Sequence, residues 1–419
     1  MREMKCSGVP WIGNIPVDWQ LVSVKRLFSI GRGRVIAQTE LEETGYPVYS
    51  SQTKDNGCLG YIDTYDYDYP QLTWTTDGAN AGSIFLRTGY YNCTNVCGTL
   101  NPTDVLVNLR YQKYALEHIA YNERRIDTNG YKIMNNEMAI IKTLLPPLNV
   151  QHQIADYLDT KCAQIDTIIA REQSVIEKLQ EYKESIINEA VTKGVDIQVE
   201  FKPSGYDFIG DIPKSWKLLK VRYLGLLQNG ISKSGNYFGH GMPFISYKDV
   251  YSSFVIPNQL DGLIESTKEE QEKYSVQSGD IFFTRTSETI DEIGISSVCK
   301  KTILYATFSG FLIRLRLINN IVSPDWAKYY FRSNHLRAYF VKEMNLVTRA
   351  SLSQELLKSL PILIPSQEEQ NKIIKYLDEK CNTIDSIILK KQALIDKLTE
   401  YKKSLIYEVV TGKKEVPHV

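Results

Sequence analysis

The sequence contains no run of apolar residues long enough to span a bilayer, and its opening, MREMKCSGVPWIG, lacks the apolar core of a secretory signal. Both absences point to a cytoplasmic location and to no membrane partner. Cysteine is sparse: seven in 419 residues, an odd number without a framework of spacings, as expected of reduced thiols inside a cell. The tightest pair, Cys93 and Cys97 in CTNVC, has no second Cys/His pair at zinc-site spacing, so buried free thiols and no metal are expected there. Neither sign of charge predominates, with 49 basic and 49 acidic residues. Phosphate contacts draw on Lys and Arg, so composition alone gives no reason to expect nucleic acid.

Catalytic signatures are missing too. The nearest string to the (N/D)PP(Y/F) motif of amine methyltransferases, Asn101-Pro102-Thr103-Asp104, lacks the second proline and the aromatic. Gly412-Lys413 has neither a glycine five residues earlier nor a following Ser/Thr, so there is no phosphate loop. Neither H-E-x-x-H nor G-x-S-x-G occurs. The five histidines (His118, His152, His240, His335, His418) are scattered. The expectation is a chain that is not an enzyme and binds no cofactor of its own.

What the sequence does contain is a duplication. WIGNIPVDW at Trp11–Trp19 recurs as FIGDIPKSW at Phe208–Trp216, 197 positions later. QHQIADYLDTKCAQIDTII from Gln151 recurs as QNKIIKYLDEKCNTIDSII from Gln370, and EKLQEYKESIINEAVT from Glu177 as DKLTEYKKSLIYEVVT from Asp396, both displaced by 219. Of the 42 positions from Gln151 to Thr192, 23 are identical in the second copy, where His152 is matched by Asn371. Between these repeats lie two stretches that barely resemble each other, the second 22 residues longer. The order is variable, constant, variable, constant.

The constant blocks read as long helices. Ile154, Leu158, Ile165, Ile169, Ile176 and Leu179, continued by Ile186 and Ala190, trace one stripe near heptad spacing. Ile373, Leu377, Ile384, Ile388, Ile395 and Leu398 repeat it, with Leu405 beyond. Glu172 and Lys183 interrupt the stripe. Proline-rich segments precede each block, and Gly194 and Gly412 follow as stops. A helix of about 40 residues spans about 60 Å and cannot stand alone in water, so an antiparallel pair burying both stripes is expected. Separate packing of each helix on its own domain is the alternative.

The variable blocks read as mixed α and β. SIFLRTGYYNCTNVCGTL and GDIFFTRTSE have strand character, and NPTDVLVNLRYQKYALEHIA and SPDWAKYYFRSNHLRAYFVKEM read as amphipathic helices opening at a capping Thr or Ser. The fold class expected is therefore α+β: two globular domains separated by two long helices in an antiparallel coiled coil, with a pseudo-twofold internal repeat. The expected boundaries are a first domain at 1–147, a helical region at 148–193, a linker at 194–207, a second domain at 208–365, a second helical region at 366–412 and a tail at 413–419.

This doubled order resembles the DNA-specificity subunits of type I restriction-modification systems. The residues that carry the likeness are the IGxIPxxW openings (Ile12–Trp19 and Ile209–Trp216), the segments LPPLNVQHQIADYLDTK and LPILIPSQEEQNKIIKYLDEK, and WTTDGANAGSIF at Trp74–Phe85. The resemblance covers essentially the whole chain. It implies two target-recognition domains, each reading half of an asymmetric, bipartite site on double-stranded DNA, with the helix pair fixing the gap. It further implies two modification subunits docked on the helical regions and using S-adenosylmethionine, and restriction subunits using ATP and magnesium.

Base readout favours Arg or Lys on guanine and Asn or Gln on adenine. In the first block this selects Arg32 and Arg34 in IGRGRV, where glycines would let the backbone approach a phosphate, with Lys54, Thr75, Thr76 and Asn80. In the second block it selects Lys233, Lys248, Arg285 and Arg349. Neither block is basic: residues 1–145 carry 14 basic against 15 acidic, and residues 205–360 carry 19 against 15. Rival readings are a protein scaffold without a DNA role, a nuclease or methyltransferase lacking recognisable motifs, and a specificity subunit of a related system with other partners. Only a DNA reader gives a reason for varying the globular parts alone.

Overall fold

A computed structural model describes residues 3–417, apart from 11, 104, 129, 197, 288, 290, 291, 337, 338 and 341–349. The chain forms two compact units, one of residues 1–173 with 392–419 and the other of residues 174–391. Each unit thus holds one globular part, half of the helix that follows it, and half of the other long helix.

In the first unit a four-stranded antiparallel sheet runs in the spatial order Phe28–Arg32, Cys97–Pro102, Gln71–Thr75, Ile84–Arg87. The strand QLTWT is buried at every position, as a central strand covered on both faces must be. The helix Leu109–Glu123 covers one face, placing Leu116, Ile119 and Ala120 against Leu72, Trp74 and Ile84. A smaller sheet orders Asn92–Cys93, Tyr46–Tyr49 and Cys58–Ile62. Two further pairs join Met4–Cys6 to Asn14–Pro16 and Gln20–Ser23 to Lys142–Leu145.

The second unit builds the same topology from different residues. Its sheets run Gly225–Asn229, Leu312–Leu317, Ile281–Thr284, Ser296–Val298 and Leu263–Ile264, Phe238–Ile245, Thr307–Phe308. The outer pairs are Phe201–Pro203 with Asp211–Pro213, and Lys217–Lys220 with Pro361–Ile364. Register identifies equivalent residues where sequence does not. Gly33 corresponds to Gly230, Leu72 to Ile281, Leu100 to Leu315 and Ile133 to Leu352. The displacement grows in steps along the chain, and the largest step lies between Ile231 and Ile281, where the second unit adds the helices Tyr247–Ser252 and Lys268–Lys273.

Three local features differ from the sequence reading. Residues 201–203, within the stretch read as linker, form a strand on the second IGxIPxxW opening. The first domain helix begins at Leu109 rather than near Thr103, because the strand ending at Pro102 occupies the earlier residues and Asn108 Oδ1 caps the helix by accepting from the Tyr111 N–H at 3.0 Å. In the second domain Ser323 caps as expected, yet the helix Pro324–Tyr330 closes early. There the chain turns so that the His335 N–H donates to Asn188 Oδ1 at 3.0 Å.

The long helices span Leu148–Lys193 and Gln367–Val410. They run antiparallel as a coiled-coil pair, burying Ile154, Leu158 and Ile165 with Leu405 and Val409 in the first unit. In the second unit Ile187, Ala190 and Val191 lie in one core with Ile373 and Leu377. Each fully buried Ile or Leu contributes about 1.5–3 kcal/mol, which is what makes two such helices stable together and not singly. Lys183, which broke the stripe in sequence, binds both Asp385 oxygens at 2.7 Å. Its repeat equivalent Lys402 binds Asp166 in the same way, also at 2.7 Å. Gly194 and Gly412 end the helices in the left-handed region, at φ +82° and +70°.

Candidate nucleic-acid interface

The polar residues selected from sequence fall into three groups once their surroundings are known. Thr75 and Thr76 are fully buried, and their hydroxyls bond the chain's own backbone: Thr75 Oγ1 the Asn80 carbonyl, Thr76 Oγ1 the Val96 carbonyl at 3.0 Å. They shape the WTTDGANAG loop, whose exposed polar side chain is Asn80. Lys233 is also committed inward, to Glu270 Oε2 at 2.6 Å and the Glu265 carbonyl at 2.8 Å. Its ammonium, together with the Thr267 N–H, holds the Glu270 carboxyl below the usual carboxylate range. Arg34 pairs with Asp66 at 3.0 Å.

Lys54 and Lys248 stand exposed. The Lys54 loop is held from beneath by Arg87, a buried arginine that sequence reasoning missed. Its Nη1 donates to the Asn56 carbonyl at 2.7 Å and its Nε to Thr73 Oγ1 at 3.0 Å, while the guanidinium lies 3.6 Å from the centre of the Tyr49 ring. Burial pushes the Arg87 pKa down, and Tyr49 beside it opposes that shift. Asp55 and Asn56 take left-handed φ of +49° and +53° to present the loop. Arg349 lies outside the described residues.

Arg32 and Arg285 form the third group. Arg32 Nε donates to the Asn95 carbonyl and its Nη2 to Thr76 Oγ1 at 3.4 Å. Arg285 Nη1 donates to the Gly310 carbonyl at 3.3 Å. Asn95 and Gly310 are equivalent: the residues before them, Thr94 and Ser309, bridge the equivalent residues Arg34 and Ile231. Each domain thus parks an arginine on the carbonyl of the same turn, one from the strand Phe28–Arg32 and the other from the end of Ile281–Thr284. The glycines of IGRGRV, Gly31 and Gly33, are packed closely against the neighbouring chain here. A Cβ on Gly33 would sit 2.2 Å from the Cys93 carbonyl, and one on Gly230 2.2 Å from that of Phe308.

Beside each arginine a further strand extends the edge. Gly130–Lys132 pairs with Asp77–Gly78 in the first domain, and Ala350–Ser351 with Thr286–Ser287 in the second. Cys93 and Cys97 lie buried under the edge as free thiols, and burial pushes Cys97 up to about 11. Among the described residues no group of three or more His, Cys, Asp or Glu is placed to hold a metal, and no helix is long and apolar enough to cross a membrane.

The chain matches the type I restriction-modification DNA specificity domain twice, over residues 16–178 and 216–397. It therefore belongs to the family of type I restriction-modification specificity subunits, whose members are the non-catalytic component of their systems. It is 25% identical over 425 residues to the MjaVIII specificity subunit of Methanocaldococcus jannaschii, covering 97% of this chain and 95% of that one. It is 37% identical over 139 residues to a putative type I specificity subunit N-terminus of Mycoplasma pneumoniae, S.MpnORF289P, covering 33% of this chain and 74% of that sequence. A solved chain from work on assembly of a type I restriction-modification system superposes with a TM-score of 0.71 at 14% identity, covering 96% of this chain and 99% of that one, a likeness of fold.

Proposed function

We propose that the chain specifies a bipartite DNA site, each globular part (1–147 and 208–365) reading one half through the edge that carries Arg32 or Arg285. The observation that carries this reading is the contrast within the duplication. Two domains of one topology differ in sequence at the loops of that edge, while the side chains Gln151, Tyr114 and Asp159, which fasten the first to its long helix, recur as Gln370, Tyr329 and Asp378 in the second. A guanidinium in this position suits guanine O6 and N7 or a phosphate, and Asn80 and Lys54 in the first domain and Lys248 in the second add groups of the kind that contact bases or backbone. The helical regions 148–193 and 366–412 hold the domains at a fixed gap, the matching of internal twofold to split site that dimeric readers also use.

Two modification subunits dock on the helix pair in this reading, and restriction subunits join them. Support comes from apolar side chains that the helix pair leaves outside. Ile168 and Tyr401, flanking the Asp166–Lys402 pair, are 44% and 53% exposed; their equivalents Ile387 and Tyr182, flanking Lys183–Asp385, are 37% and 54% exposed. Each unit thus offers the same Ile–Tyr pair to a partner helix. S-adenosylmethionine, ATP and magnesium belong to those partners. The near-neutral domains grip phosphate weakly by themselves, and the modification subunits supply much of that grip.

The test is co-expression with the cognate modification subunit in a methylation-free host, followed by single-molecule mapping of N6-methyladenine. One bipartite motif with a fixed gap is expected. Arg32→Ala then relaxes one half of it and Arg285→Ala the other, each by about 1–3 kcal/mol of base discrimination. A stable complex that leaves no motif would contradict the reading.

A further inference from the structure

The two globular domains are fastened to the long helices by one polar device, made twice with the same atoms. Gln151 is fully buried in the first turn of its helix. Its Nε2 donates to the Leu106 carbonyl at 3.0 Å and the Pro146 carbonyl at 2.9 Å, and its Oε1 accepts from the Asn108 N–H at 2.9 Å. Gln370, also fully buried, donates to the Ile321 carbonyl at 2.8 Å and the Pro365 carbonyl at 3.1 Å, and accepts from the Ser323 N–H at 2.8 Å. Asn108 and Ser323 are the caps of the domain helices. In each case the amide therefore ties the start of the domain helix, the chain two residues before it and the proline ahead of the long helix to one point.

Two turns further on, the same helices meet again. Tyr114 OH donates to Asp159 Oδ1 at 2.7 Å, with Arg110 Nη1 on Asp159 Oδ2 at 2.9 Å. Tyr329 OH donates to Asp378 Oδ1 at 2.6 Å, with Lys328 Nζ on the same oxygen at 2.6 Å. Desolvation works against the charged Asp378, but the hydrogen bonds from Lys328 and Tyr329, with the Lys300 charge nearby, hold its carboxyl below the usual carboxylate range. Apolar packing alone tolerates small slides of one helix along another; a buried amide with three directional bonds does not, because a displaced bond leaves a buried donor or acceptor unpaired.

We propose that Gln151 and Gln370 are positioning residues that set the register of each recognition domain on its helix, and with it the exactness of the gap between the half-sites. The proposal rests on the DNA-reading role given above. One base pair is a step of about 3.4 Å along the duplex. Helix length sets the nominal gap, and these joints keep a domain from sliding by one such step.

The experiment is the methylation map of the full chain with its modification subunit, made for the parent, Gln151→Met and Gln370→Met. The half-site bases should stay the same in both variants, while sites with a gap one base pair longer or shorter rise about tenfold over the parent. Methylation falling alike at every site with the gap unchanged would show a merely structural role and overturn the proposal. So would loss of base identity in one half-site with a strict gap. If the methionine variants do not accumulate, Tyr114→Phe and Tyr329→Phe each remove one hydroxyl and must widen the gap distribution in the same direction; an unchanged distribution overturns the proposal. A parent without any bipartite motif would instead overturn the DNA-reading role itself.

Discussion

His335 shows how far a single side chain can depart from what its letter suggests. In sequence it was one of five scattered histidines; in the fold it is buried, with Nδ1 2.8 Å from Ser333 Oγ and, among the described residues, no hydrogen-bond partner at Nε2. Burial pushes its pKa down to about 3, so the folded state holds the neutral ring while the unfolded chain titrates near 6.5. The folded value is the lower one, so this contribution is complete above about pH 6.5 and is lost as pH falls towards 3. Between pH 7.5 and 5.5 the loss is about 1.4 kcal/mol. Urea unfolding across that interval should show the decline in the parent and its absence in His335→Gln; parallel profiles would refute the assignment. Arg87, Gln151 and Gln370 teach a related lesson. Only the glutamines had a signal, a residue kept at the first position of each long repeat, and nothing in the letters said that it would be a three-bond joint.

At the scale of elements, the helix pair was the most legible part of the molecule, because near-heptad spacing over about ten turns has few other solutions. The interruption at Lys183 was legible as a flaw and not as half of a repeated ion pair with Asp385. A partly exposed pair of this kind adds little stability, about 0–1 kcal/mol, and its use is in orienting the two helices. The globular parts were less legible. Their strands are two to eight residues long and separated by loops of unlike length, so the shared topology emerged only from register. The base-reading candidates suffered most: hydroxyls at Thr75 and Thr76 suit a groove by chemistry, but the same chemistry also suits a loop's own carbonyls. The exposed Ile–Tyr pairs yield a prediction at this scale. Tyr182→Glu and Tyr401→Glu should each weaken one docked modification subunit about 10–100-fold. The complex then falls from two modification subunits to one, read by native mass spectrometry. Unchanged stoichiometry in the double variant would remove these faces from the docking surface.

For the whole molecule the governing fact is that constancy and variation are segregated. The fastenings repeat: the strand pairing of the IGxIPxxW openings, the glutamine joints, the Tyr–Asp bonds and the crossed Lys–Asp pairs recur in both units. The edges do not, and even their shared arginine comes from a different strand in each domain. Charge balance is consistent with this division, since a chain that specifies a site without holding the duplex by itself needs no basic face. The decisive measurement is exchange of residues 1–147 for the first block of another specificity subunit, followed by methylation mapping with the same modification subunit. One half of the motif should change while the other half and the gap stay as they were. Change in both halves, or in neither, would contradict it.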